Sequence, residues 1–196
     1  MRFLNALSFL TIIKIPPKFY LKDNKYNRTL IYFPLVGFII GLMAAALFFI
    51  FNIILPMILN VILIVGFEII ITGAIHIDGL ADSIDGVFSG EKDRKKIFEI
   101  MKKGDIGVFG TLAIVFSIIL KVIIYFYIAQ RLSIHNFILF KPEQNIPRLN
   151  FSSNYPALFY ITLIIIFAPV FGRLLILYLL SKYEAAQKTT SLSAAF

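Results

Sequence analysis

From Leu30 to Leu55 the chain carries no Asp, Glu, Lys or Arg. That run is the strongest constraint on the fold. A bilayer core is about 30 Å thick, and about 20 apolar residues in a helix cross it. Within it every backbone N–H and C=O must be paired inside the protein, so a span is a helix or part of a closed barrel. An unbroken apolar run of this length reads as a transmembrane helix. Pro34 and Gly37 lie near its start. Gly41 with Ala44, Ala45 and Ala46 offers a small face for close helix packing.

Further apolar runs follow. Met57–Ile77 encloses Glu68, Ile106–Gln130 encloses Lys121, and Ala157–Leu180 is interrupted by Pro169, Gly172 and Arg173. Composition agrees: 59% of residues are hydrophobic, more than a soluble domain carries. Met1–Pro17 is apolar but too short to span, which predicts an interfacial or re-entrant helix. Residues 78–105 and 131–156 read as hydrophilic loops. Within the first, Ile97, Ile100 and Met101 recur at helical spacing and predict an amphipathic helix on the membrane surface. The expected fold is all-α: a polytopic integral membrane protein with about four transmembrane helices, an N-terminal interfacial helix and an amphipathic cytoplasmic helix. It forms one membrane-embedded domain over residues 1–196.

The net charge of +8 reads as a topology signal and not as a nucleic-acid footprint. With four spans, fourteen Lys and Arg share one side, from the N-terminal segment, the 78–105 loop and the tail. Arg131, Lys141 and Arg148 lie on the other side. The positive-inside rule makes the first side cytoplasmic. The absence of cysteine removes disulfides and thiolate metal sites. Two histidines, His76 and His135, are too few for a His-rich metal site.

Directly after the second apolar run comes HIDGLADSIDG, His76 to Gly86. Of the eleven acids in the chain, seven lie between residues 78 and 105. Asp78, Asp82 and Asp85 are spaced four and then three apart. On a helix turning about 100° per residue, they share an arc of roughly 60°. Three such carboxylates repel one another unless a cation sits among them. A hard oxygen site for Mg²⁺, completed by phosphates and water, answers that repulsion and suits phosphoryl transfer. A solvated loop is the plain alternative, and the position beside an apolar span argues against it. His76 reads first as a structural hydrogen-bonder and second as a catalytic group. Gly79 and Gly86 would let a bulky ligand approach the backbone. Gly104, Gly107 and Gly110, with Lys102 and Lys103, would suit an anion at the start of the third span.

The strings LNALSFLTIIKIP, FPLVGFIIG, TGAIHIDGLADSIDG and EIMKKGDIGVFG, in this order, resemble the cobalamin synthase family, the adenosylcobinamide-GDP ribazoletransferases. The resemblance covers about residues 3–180. It implies a Mg²⁺-dependent polytopic enzyme of the cell (inner) membrane, a transferase of substituted phosphate groups. Such an enzyme joins α-ribazole, or its 5′-phosphate, to adenosylcobinamide-GDP and releases GMP. Carried over, the acidic motif puts Asp78 and Asp82 on Mg²⁺, with Asp85 as third ligand or as base for the attacking hydroxyl. His76 falls among the catalytic candidates. Gly79, Gly86, Lys102, Lys103, Asp105 and Gly107 fall among substrate-binding positions. Where the family carries acid, small residue, then Arg or His, this chain reads Lys103, Gly104, Asp105, with acid and base exchanged. The family pattern also continues with further spans and another glycine-rich, acid-containing motif, so the expectation is a chain lacking the C-terminal part. A homo-oligomer is compatible with the resemblance.

Two rival classes share part of this pattern. CDP-alcohol phosphatidyltransferases also use membrane aspartates with Mg²⁺, but their Ala is followed by Arg, where Ala81 here is followed by Asp82. A transporter would use Glu68, Lys121 and Arg173 as a charged pathway, and the sequence lacks an inverted repeat to support one. Glu68 is alternatively expected to pair with Lys121 or Arg173.

Overall fold

The computed structural model describes residues 1–16, 18, 27–139 and 155–182. The described residues are helical and contain no strand: α1 (Arg2–Leu10), α2 (Asn27–Leu30), α3 (Phe33–Ile54), α4 (Met57–Ile71), α5 (Ile75–Phe88), α6 (Arg94–Lys102), α7 (Val108–Leu139) and α8 (Tyr155–Lys182). Among the described residues three helices are long and apolar enough to cross a membrane: Phe33–Ile54, Val108–Gln130 within α7, and Leu158–Lys182 within α8. The pair α4 and α5, bent by 84° at the break between them, makes a fourth when counted as one broken span.

Local chemistry sets the boundaries. Pro34 sits in the first turn of α3, where its missing N–H is no loss. Leu55 is extended, as the residue before Pro56 must be, and α3 ends there. The break after α4 is built from Gly73 and Ala74, both left-handed at φ 59° and 58°. Such a conformation at Ala74 strains an alanine and stops the helix there. The second expected span, Met57–Ile77, is thus a fifteen-residue helix that turns aside. At about 1.5 Å per residue it reaches only about 22 Å.

The chain makes a hairpin through α3 and α4. Asn60, fully buried, donates from Nδ2 to the Phe48 carbonyl at 3.0 Å. At the far end Ile71 packs with Ala6, Leu10, Leu30 and Phe33, and Ile12 N–H donates to the Ile71 carbonyl at 2.9 Å. The end of α4 therefore lies beside α1 and the start of α3. The helix α8 packs along α3, and of the expected small face Gly41, Ala44 and Ala45 are buried whereas Ala46 is exposed. A side chain at Gly41 would run into the backbone of Ile166, and one at Gly37 would meet the Pro169 carbonyl at 2.7 Å. Ala44, Ala45, Phe48, Val61, Ile64, Val65, Tyr125, Ile161 and Ile165 close the core where α3, α4, α7 and α8 meet.

Two expectations are corrected. Residues 78–105 are not a loop but largely the helices α5 and α6, joined by a short connection at Ser89–Asp93. Here the spacing of the acids and of Ile97, Ile100 and Met101 was a better guide than overall polarity. Likewise α7 continues to Leu139, beyond the expected end at Gln130. Nothing in Arg131–Leu139 breaks a helix, since Pro and Gly are absent there. The segments holding Lys22, Lys25, Lys141, Arg148 and Lys188 lie outside the described residues.

Candidate functional site

The helix α5 carries the acid motif on one side and a different surface on the other. Asp78, Asp82 and Asp85 fall on one face, as the spacing requires. Ala81 and Gly86 are its buried positions. Ala81 packs toward Gly110 of α7, and Gly86 faces Met101 and Ile97 of α6. The space beside Gly86 is thus filled by α6, whereas beside Gly79 it is open. We read α5, with its three carboxylates, as the part of the bent pair outside the apolar span.

Asp85 has a role the sequence did not suggest. One carboxylate oxygen accepts from Gly107 N–H at 2.7 Å and the other from Gly110 N–H at 2.8 Å. These donors lie at the part-buried head of α7, so Asp85 caps that helix from 22 and 25 residues away. The positive end of the α7 dipole also offsets one charge of the acid cluster. Any side chain at Gly107 or Gly110 would strike the Asp85 carboxylate. The glycines at the head of α7 therefore receive a protein anion, which fixes α5 on α7. Phe88 stacks on Phe109 at 5.3 Å beside this contact.

Asp78 is exposed and Asp82 half-buried. Asp82 titrates above the usual carboxylate range, through its burial and then the negative charges of Asp78 and Asp85. Among the described residues no three His, Asp or Glu side chains converge as a ready-made metal cage. Mg²⁺ does not need one, since it binds through one or two carboxylates and keeps water and phosphate as its other ligands. A cation beside Asp78 and Asp82 would relieve the repulsion at Asp82.

The structure does not bring His76 to the aspartates. By helical geometry His76 and Leu80 lie roughly 150° or more around α5 from the middle of the acid arc. They line a pocket of about 290 Å³ with Glu68, Thr72, Ser117, Lys121 and Arg173. His76 itself stays exposed at the rim of that pocket. Glu68 pairs with Lys121 at 2.5 Å, one of the two partners expected for it. Lys102 and Lys103 are exposed at the end of α6, and Lys103 pairs with Asp105 at 3.8 Å on an open surface.

Fold and motif together define a class: an all-helical multi-pass membrane protein with a carboxylate face on a helix at the end of its spans. The chain belongs to the cobalamin-5-phosphate synthase family, which matches it over residues 2–196. That is longer than the 3–180 carried by the motifs. The chain is similar to adenosylcobinamide-GDP ribazoletransferases. The one from Caldanaerobacter subterraneus subsp. tengcongensis is 39% identical over 127 residues, covering 65% of this chain and 51% of the relative. The one from Fusobacterium nucleatum is 40% identical over 131 residues, covering 63% and 46%. The one from Clostridium botulinum is 30% identical over 190 residues, covering 96% and 64%. The chain thus spans about half the length of several curated relatives it matches. No solved structure matches it.

Proposed function

We propose that this chain carries the adenosylcobinamide-GDP ribazoletransferase reaction of its relatives. A ribose hydroxyl of α-ribazole, or of its 5′-phosphate, forms a P–O bond to the cobinamide-side phosphorus. The bond from that phosphorus to the GMP oxygen breaks, and GMP leaves. The observation that carries the reading is the three-aspartate face of α5 in a chain of this family.

Asp78 and Asp82 would hold Mg²⁺, which when bound neutralises charge on the pyrophosphate and on the departing GMP. Asp85 acts on this face as a positioning residue: its hydrogen bonds to Gly107 and Gly110 fix the register of α5. Two backbone N–H groups occupy one site on each of its oxygens and leave the others open to a ligand. Gly79 leaves room for substrate beside Asp78. Lys102 and Lys103 are exposed cations that would attract a pyrophosphate.

The acid face belongs, in this reading, to the cytoplasmic side of the cell membrane. Support comes from the charge count and from Ile71, which returns to the side where α1 lies. Were α4 and α5 to stay on the far side, Lys92, Arg94, Lys95, Lys96, Lys102 and Lys103 would all lie outside. The test is GMP release from adenosylcobinamide-GDP by the purified chain with α-ribazole and Mg²⁺. Release that depends on α-ribazole and stops with EDTA supports the reading. Release that ignores α-ribazole overturns it.

A further inference from the structure

The face of α5 opposite the aspartates borders a pocket that the reaction above does not use. Its walls come from α3, α4, α5, α7 and α8. Three charges stand in it: Glu68, Lys121 and Arg173. Glu68 and Lys121 pair with each other. Arg173 is 7% exposed, and its Nη1 donates to the Pro169 carbonyl one turn back at 3.3 Å. Its Nε and Nη2 are buried with no hydrogen-bond partner among the described residues.

A guanidinium left this way in an apolar bundle is costly unless something accepts from it. Pairing Glu68 with Lys121 leaves the pocket one positive charge in excess. The hydroxyls of Thr72 and Ser117 stand in the lining, and Ile40, Val65, Ile69, Ile77 and Ile118 supply apolar wall. Lys121 is 40% exposed along its side chain and marks an open flank. One negative charge, planar oxygen acceptors and an apolar attachment complement this set.

We propose that the pocket between α4, α5, α7 and α8 binds a single phosphodiester-type oxyanion, held by Arg173 and by Lys121 at the mouth. The anion comes from a membrane phospholipid headgroup or from a phosphate on a soluble ligand. It sits across α5 from the aspartates, so its occupancy would fix the side of α5 that backs the acid face.

The test is ³¹P NMR titration of the full chain in zwitterion-free, delipidated detergent. One arm uses dihexanoylphosphatidylglycerol and the other dimethyl phosphate. Binding of the lipid probe alone identifies a headgroup site, and equal binding of both identifies a phosphate site. Either result supports the proposal, and binding of neither overturns it. Arg173→Gln should weaken binding about tenfold or more, as expected for lost charge-assisted hydrogen bonds, with Arg173→Lys in between. Lys96→Gln removes an exposed charge elsewhere and should change nothing. Ser117→Trp fills the pocket without removing a buried charge, and it decides the matter if Arg173→Gln fails to fold. Unchanged binding in Ser117→Trp, or in a folded Arg173→Gln, overturns the proposal.

Discussion

The chain holds two clusters of charge on opposite sides of one helix, and they are built by opposite rules. The acid face of α5 gathers like charges within three turns, buries none of them fully, and uses one of them to dock on α7. The pocket behind it gathers unlike charges from three helices, buries Glu68 and Arg173, and leaves a guanidinium short of acceptors. In the proposed reading the first arrangement takes up a cation and the second an anion. A cluster of like charge exposed to solvent reads as a site waiting for its counter-ion. A buried mixed cluster is mostly self-compensating, and only its remainder points outward.

The comparison breaks most sharply at the acids. Asp78→Asn or Asp82→Asn should reduce GMP formation by about a hundredfold or more at saturating substrate, since charge stabilisation of this kind supplies several kcal/mol. Membrane expression should stay as in the wild type. Unchanged turnover in both variants would remove the acid face from the chemistry.

The pocket should show its own signature in stability instead. Lys121→Met removes the cation paired with Glu68, which is 5% exposed, and leaves only the more distant charge of Arg173. Thermal unfolding in detergent should register a loss of roughly 3 kcal/mol, at the lower end for a broken buried pair because Lys121 reaches solvent. Adding Glu68→Gln should recover much of that loss. If the single variant is as stable as the wild type, the pair does not hold the bundle.

Asp85→Ala should cost about 1–2 kcal/mol, the usual value of a helix cap, and loosen the start of α7. Hydrogen exchange at Gly107 and Gly110 reads this directly, and unchanged protection there would contradict the capping role. The smallest effect is one of pH. Asp82 holds its proton to a higher pH than an ordinary carboxyl, so the folded state binds more protons than the unfolded one in that window. Its contribution to stability therefore falls as pH rises through the window, while its affinity for a cation rises. Asp78→Asn removes a neighbouring charge and should shift both changes to lower pH, as metal titrations at several pH values would show.

What could be read in the sequence follows the same division. Contacts between residues near in sequence were legible. The acid arc on α5, the amphipathic α6 and the small face at Gly41 all depend on helical spacing. The family followed from local strings. The ions within the spans announced themselves one at a time, and Glu68 could be matched with Lys121 or Arg173 but not with one in particular. Asp85 reaching to the head of α7 could not be foreseen, because nothing local distinguishes it from Asp78 and Asp82. The glycines at 107 and 110 were the available signal, and they pointed to an anion without saying that the protein supplies it. The bend after α4 was hidden for another reason. A single glycine, Gly73, precedes an alanine that takes the left-handed conformation against its preference. The opposite placement of His76 was implied by its two-residue offset from Asp78, since an offset of two crosses the helix.

The central claim is that α5 separates a cation site from the pocket behind it. Binding of Mn²⁺ as a paramagnetic stand-in for Mg²⁺, followed by EPR on the purified full chain, tests this most directly, with no need for turnover. The wild type should take up Mn²⁺, and Asp82→Asn should bind it about tenfold or more weakly. Leu80→Ala, on the pocket side, should bind it as the wild type does. Equal Mn²⁺ binding in Asp82→Asn and the wild type, or a loss in Leu80→Ala as large as that in Asp82→Asn, would contradict it.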